Sequence, residues 1–283
     1  MPRVSFSKGK STMKIFILCE DQAKMGFMDK VFLAEHGLSI FIDASVKILF
    51  DLGATDVFLR NAQLFGIDLR ETDYLVISHG HWDHVNGLRH FPPSEKAISL
   101  VAHPGILTHR FSKLDKYNGV PRDYHTLTAG LSTIFTKEPF QIMEDVFFLG
   151  EIPRMNDFES QQTYFTRLEN NHRVPDYILD DSALAVNTPE GLVVISGCAH
   201  AGICNTIEHA KKVAKTDRVR LVVGGFHLLG DASQLEHTIR YFHEHGVELL
   251  CPMHCTDLAA LCGLANNLPF KKLCSGDWLE LAG

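Results

Sequence analysis

The sequence predicts an α/β fold of two similar halves packed sheet against sheet, with helices on the outside. Three observations predict it. Short apolar runs rich in Ile, Phe and Val alternate with segments whose apolar residues recur at helical spacing. A unit of strand, histidine-bearing loop and helix occurs in the first half and returns in the second. No linker or low-complexity tract divides the 283 residues, so residues 13–283 are expected to form a single domain.

The elements follow in order. "MPRVSFSKGKST" (1–12) is basic without an apolar signal core, and is expected to be a flexible leader. "MKIFILC" (13–19), "LSIFIDA" (38–44) and "VKILFDLG" (46–53) read as strands, the last two joined by a tight turn. "TDVFLRNAQLFG" (55–66) has helical spacing and closes on Gly66. "DYLVIS" (73–78) is a buried strand running straight into "HGHWDH", and "VNGLRHF" (85–91) reads as a short helix stopped by Pro92 and Pro93. "ISLVAH" (98–103) is another strand. Segments 103–125 and 150–177 read as long loops of the kind that carry lids and specificity. Then "DSALAVNT" and "GLVVISGCAH" form a hairpin around Pro189–Gly191. The helix "ICNTIEHAKKVAK" (203–215), the strand "RVRLVVGGFH" (218–227), the helix "SQLEHTIRYFHEHG" (233–246) and the strand "VELLCPMH" (247–254) complete the second half.

Composition narrows the function. Hydrophobic residues make up 45% and charged residues 22%, as in an ordinary globular chain. The net charge of −7 is spread without basic or acidic blocks, which argues against nucleic-acid and membrane-surface partners and leaves a small molecule as the expected one. Seven cysteines without a CxxC spacing read as free thiols in a reducing cytoplasm. Sixteen histidines are the anomaly.

His79, His81, Asp83 and His84 follow the strand at 73–78, while His200, His227 and His254 each close a later strand. In open sheets such strand ends are where ligand-binding groups gather. Imidazole nitrogens and a carboxylate suit Zn²⁺ first, with Fe²⁺ or Mn²⁺ as alternatives. One catalytic ion needs only three protein ligands, so six or seven ligand residues on four loops point to two ions about 3.5–4 Å apart.

The run His79-x-His81-x-Asp83-His84 after a strand, "FDLG" with Asp51, "SGCAH" with His200 and "CPMHC" with His254 resemble the metallo-β-lactamase superfamily, over essentially the whole chain from Met13. The resemblance implies an αββα sandwich of two mixed β-sheets flanked by helices, with a dinuclear metal site on the sandwich edge. "EHGLSIFI", "GEIPR", "SGCAHAGI", "GGFHLLG" and "PMHCT" are similar to a branch labelled 7,8-dihydropterin-6-methyl-4-(β-D-ribofuranosyl)aminobenzene-5′-phosphate synthase-like, or simply metal-dependent hydrolases.

Carried over by this resemblance, His79, His81 and His200 hold one metal, and Asp83, His84 and His254 the other. Asp51 either orients the histidine loop by hydrogen bonding or is a turn residue before Gly53. The superfamily's bridging aspartate has no counterpart in "RVRLVVGGFH": Asp217 lies at the wrong end and Asp231 four residues past His227. His227 takes that place, and a neutral imidazole cannot bridge two ions, so it either caps one metal or faces the substrate. The missing carboxylate leaves the site more positive, which favours an anionic substrate and loosens the second ion.

The expected function is therefore a metal-dependent hydrolase. Its metal-activated water is positioned or deprotonated by Asp83, and its substrate is a phosphate-bearing or other anionic small molecule. The alternatives are a synthase or transferase in pterin-like cofactor biosynthesis, and a non-catalytic ligand-binding module. Cys198 and Cys255 read as small buried neighbours of the ligands. Arg154, His172 and Arg173 read as solvated loop residues rather than a phosphate site. His36 and the other histidines are given no role, His103 being the nearest to an exception.

Overall fold

The computed structural model describes residues 12–26 and 30–281, so the expected leader lies outside the described residues but for Thr12. Seven strands form one sheet in the order Trp278–Leu281, Met13–Cys19, Ser39–Asp43, Lys47–Phe50, Tyr74–Ile77, Ser99–Ala102 and Ser132–Phe135. Pairing is antiparallel as far as Lys47–Phe50 and parallel beyond it. A six-stranded sheet runs Leu250–Met253, Val219–Gly225, Gly191–Ser196, Ala183–Thr188, Val146–Phe148 and Phe140–Met143, parallel among the first three.

Alternation along the strands builds the layers, because successive side chains point to opposite faces. Ile15, Ile17, Val76 and Val101 from the first sheet meet Leu184, Val193, Ile195 and Val223 from the second in a shared central layer. The intervening Leu75, Ile77 and Leu100 pack outward on Phe58 and Ala62 of the helix Val57–Phe65. Leu192 and Val194 pack outward with Ile207 and Ala210 of helix Ile203–Ala214, Phe242 of helix Ala232–Glu244 and Leu264 of helix Leu258–Asn267. Both faces of each sheet are thus covered, which explains why these strands read as near-continuous apolar runs. The result is the expected αββα sandwich of two mixed sheets. No helix among the described residues is long and apolar enough to cross a membrane.

Three expectations need correction. The segments read as long loops pair with each other: Arg110–Phe111, Thr166–Glu169 and His172–Pro175 form a third, antiparallel sheet. The helix placed at 85–91 begins earlier, with an α-turn at Trp82–Val85 followed by a 3₁₀ stretch at Asn86–His90, so Asp83 and His84 stand on a helical turn. Strands Ser132–Phe135, Phe140–Met143, Val146–Phe148 and Trp278–Leu281 and the helix Leu258–Asn267 were not read from the sequence. Ser132–Phe135 is an edge strand whose residues are exposed except for a partly buried Ile134, so it lacks the apolar alternation that marks a strand.

One distant contact fixes the second half. Glu159, fully buried, accepts the backbone N–H groups of Cys204 and Asn205 at 2.9 Å each and so satisfies the first turn of helix Ile203–Ala214 from another segment. Burial pushes its carboxyl upward despite these bonds. Gly202 makes room for it: φ is +102°, and a Cβ there would lie 2.3 Å from the Glu159 carboxyl carbon. Gly202→Ala is therefore expected to destabilise the fold by about 1–3 kcal/mol, measured by urea unfolding. A stability equal to wild type would mean that this contact does not constrain the helix start.

Candidate metal centre

Strand ends from both sheets deliver the ligand residues to one edge of the sandwich. Tyr74–Ile77 leads through Ser78 to His79, His81, Asp83 and His84; Gly191–Ser196 leads to His200; Leu250–Met253 leads to His254. All six are buried, with side-chain atoms converging in two triads. In the first, His81 Nδ1 lies 2.9 Å from His79 Nε2 and 3.1 Å from His200 Nε2. In the second, Asp83 Oδ2 lies 3.3 Å from His254 Nε2 and 3.9 Å from His84 Nε2. These are the two sets that the superfamily resemblance implied.

Asp51 decides which nitrogens face inward. Its Oδ1 accepts the Ser78 N–H at 2.8 Å, and its Oδ2 accepts the Ser78 hydroxyl at 2.6 Å and His84 Nδ1–H at 2.7 Å. Because the Ser78 proton is committed to Asp51, Ser78 Oγ accepts from His79 Nδ1–H at 2.9 Å. His79 Nε2 and His84 Nε2 are thereby left as bare lone pairs directed into the triads. Asp21 does the same for His254, accepting from its Nδ1 at 2.8 Å. Carboxylates behind ligating imidazoles fix tautomer and ring orientation in metal sites generally. Asp51 is also the turn residue that the sequence allowed, with φ +58°. His227 and His254, both at φ +48°, carry the same uncommon left-handed backbone at their strand ends.

The donor set fits a divalent cation. Burial, reinforced by the neighbouring imidazoles and Arg110, holds His79, His81 and His200 well below the usual histidine range, so each is neutral with a lone pair available. One proton cannot serve both short contacts of His81 Nδ1, and His81 Nε2 is buried without a partner. His79, His81 and His200 could together hold one cation, which would satisfy all three inward nitrogens. Burial would raise Asp83, but His84 and His254 bring it to about 2, so it is a carboxylate at neutral pH. Burial would lower His254, yet its bonds to Asp21 and Asp83 hold it well up; a cation held by these residues would replace that proton.

His227 stands beside the triads. Its ring centroid is 4.2 Å from that of His200, but its nitrogens join neither ligand set, and it lines the cavities in front of the site. Sequence reading missed Asp21 and His36. His36, given no role, places Nδ1 3.0 Å from Asp21 Oδ2 and Nε2 3.4 Å from Asp83 Oδ2. Glu20 and Asp21 directly follow the first strand, so the strand-end rule applied to that strand would have found them. His103 is instead tied to Glu151 at 3.3 Å and to Gly105 N–H at 2.9 Å. Arg154 is committed to Ser160 and to the carbonyls of Tyr177 and Ile178, and Arg173 to Asp115.

Segment 150–177 shapes the approach. Tyr164 and Phe165 divide two cavities of about 580 and 570 Å³, each of which reaches His200 and His227. Phe165 forms an apolar wall, its ring centroid 4.8 Å from His81 and 5.5 Å from His200.

The family model described as the metallo-β-lactamase superfamily matches residues 34–208. The chain belongs to the metallo-β-lactamase superfamily. It is 31% identical to a Methanocaldococcus jannaschii protein named 7,8-dihydropterin-6-methyl-4-(β-D-ribofuranosyl)-aminobenzene-5′-phosphate synthase, over 88% of this chain and 89% of that protein. It is 33% identical to the uncharacterized protein MJ0448 of the same organism, over 85% of this chain and 92% of that protein. Among solved structures it is similar to Tm1679, a metal-dependent hydrolase of the β-lactamase superfamily, with a TM-score of 0.83 and 32% identity over 96% of this chain and all of that one. The superfamily match ends at residue 208, before His254, so the second triad spans a boundary that the match does not reach.

Proposed function

We propose that this chain is a metal-dependent hydrolase of a phosphate-bearing or other anionic small molecule. The observation that carries the reading is the pair of buried triads whose inward lone pairs are set by Asp51 and Asp21. His79, His81 and His200 would hold one divalent ion, and Asp83, His84 and His254 a second, with zinc the metal best matched to this mixture of nitrogen and oxygen ligands. Such ions supply Lewis acidity and acidify water to a pKa of roughly 7, making a nucleophile available at neutral pH.

The chain's own groups do the rest. Asp83, ionised and within the second triad, would position the attacking water or accept its proton. Phe165 walls the reacting side at His81 and His200, and the two cavities leave room for substrate beside it and the half-exposed Tyr164. The anionic preference rests on the ions' charge alone, since Asp21 and Glu20 supply carboxylates beyond those counted from sequence and Lys272, which lines one cavity, is paired with Glu20 at 3.0 Å.

A second reading, a synthase that uses the ions to polarise its substrate, is favoured by the name of the 31% identical relative. Elemental analysis of protein purified without chelators is expected to find up to two divalent ions. Phosphomonoesters, phosphodiesters, thioesters and lactones should then be assayed before and after chelation. Hydrolysis lost on chelation and restored by zinc supports the proposal, whereas undiminished turnover by metal-free protein overturns it. A condensation product in place of hydrolysis favours the synthase.

A further inference from the structure

His227 belongs to neither triad, yet the chain is shaped to present it. Strand Val219–Gly225 ends on two glycines where no side chain fits: a Cβ on Gly224 would lie 2.0 Å from the Ser196 carbonyl oxygen, and one on Gly225 2.5 Å from that of Gly197. The strand end is thus pressed against the residues that lead to His200. Phe226 is then fully buried in the outer layer, its N–H donating to Thr256 Oγ1 at 3.2 Å, and Leu228 forms a β-bridge with the same Thr256. Between these two fixed residues His227 takes φ +48°. A residue with a side chain is strained there; it persists where its surroundings over-determine it, and such positions cluster at functional sites.

The ring is half-buried and lines both cavities, its centroid 4.2 Å from that of His200. Its Nδ1 is buried without a hydrogen-bond partner among the described residues, so Nε2 is the nitrogen that faces the cavities. Cys255 lies beside the ring but donates its S–H to the Cys198 carbonyl at 3.2 Å, and thiol sulfur is a weak acceptor. A neutral imidazole has one N–H and one lone pair. Buried N–H groups are left orphaned more rarely than buried acceptors, which places the lone pair at Nδ1 and the proton at Nε2.

We propose that His227 is a catalytic residue: its Nε2–H donates a hydrogen bond to an anionic oxygen of the substrate, the non-bridging oxygen of a phosphate, held beside His79, His81 and His200. The inference rests on the hydrolase reading above and names a substrate contact for it. As the bond to the leaving group breaks, negative charge is spread over those oxygens, and a fixed donor in a walled site stabilises it. No proton changes hands at His227. Capping a metal, the other role open to it, is set aside because its nitrogens join neither ligand set.

Calorimetric titration of zinc-loaded, full-length protein with inorganic phosphate is the test. Asparagine tolerates the left-handed backbone but reaches only as far as Nδ1, whereas glutamine carries an amide nitrogen near the Nε2 position. Phosphate affinity is expected to fall about 10–100-fold in His227→Asn, as for one lost hydrogen bond to a charged group, and to stay within about threefold of wild type in His227→Gln. Zinc content should be unchanged in both. Wild-type affinity in His227→Asn overturns the proposal, as does an equal loss in both variants, which would point to packing rather than a donated hydrogen bond. Zinc lost from His227→Asn overturns it by making His227 a ligand. Diffraction from the wild-type zinc protein with phosphate decides the matter even where a variant fails to fold: an oxygen about 2.7–3.1 Å from His227 Nε2 is expected. Protein that takes up no metal overturns both this inference and the hydrolase reading; metal bound with phosphate absent or out of reach of His227 overturns this one alone.

Discussion

Asp51→Asn is expected to weaken divalent metal binding by about 10–100-fold, measured by calorimetric titration of chelator-stripped protein. The reason is the hydrogen-bond count at one buried carboxylate. The Ser78 backbone N–H requires an acceptor at the Oδ1 position, so the new amide nitrogen must take the place of Oδ2. There it donates where the carboxylate accepted. His84 Nδ1 must then become an acceptor, which moves its proton to Nε2, the atom that faces the second triad. Ser78 Oγ must accept from the amide, and its own proton turns to His79 Nδ1, which protonates His79 Nε2 in the first triad. One substitution of nearly equal size spoils a ligand in each set. Asparagine tolerates the φ of +58° at this position, so the fold should survive, and unchanged far-ultraviolet circular dichroism would show it. Wild-type affinity in this variant would mean that Asp51 is only the turn residue.

Arg110→Leu is expected to cost about 3–5 kcal/mol of folding stability, the range for removing one partner of a buried ion pair. Arg110 is 1% exposed and donates to both oxygens of Asp180, at 2.6 and 3.1 Å, with Asp176 at 3.4 Å. Burial would push the Asp180 carboxyl upward, and the guanidinium holds it below its ordinary value. Without Arg110 two buried carboxylates face each other uncompensated. Asp180 also accepts the Gly80 N–H at 2.8 Å, so the same loss loosens the turn between His79 and His81. Adding Asp180→Asn to Arg110→Leu should recover part of the stability by removing the unpaired charge. A loss below about 1 kcal/mol in the single variant, as for an exposed pair, would remove this cluster as the anchor of the loops.

How much of this was legible depends on range in the chain. His79, His81, Asp83 and His84 lie within six residues after an apolar run, so their joint presence at one strand end is a local fact. His200 and His254 were found by the same rule applied to later strands. Asp21 and His36 were missed because the rule was not carried to the first strand and because His36 has no neighbouring ligand in sequence; only the fold brings it to 3.4 Å from Asp83. Arg110 and Glu159 gave no signal at all. Each is a charged residue in a polar segment, and such residues are ordinarily solvated. Arg110 is buried through the pairing of its strand with Thr166–Glu169 and its contact with Asp180, and Glu159 through the helix start at Cys204 and Asn205, all partners distant in sequence.

By itself, then, the sequence determined the layered α/β architecture and seven candidate ligands at strand ends, six of which fall in the two triads and one of which, His227, joins neither, because apolar periodicity and strand-end placement are properties of short windows. The tertiary structure decided the rest: which imidazole nitrogens face inward, which carboxylates hold them there, and that Arg110 and Glu159 are buried. Those are distances between segments that meet only after folding, and at hydrogen-bonding range a shift of an ångström decides whether a proton or a cation fits between them.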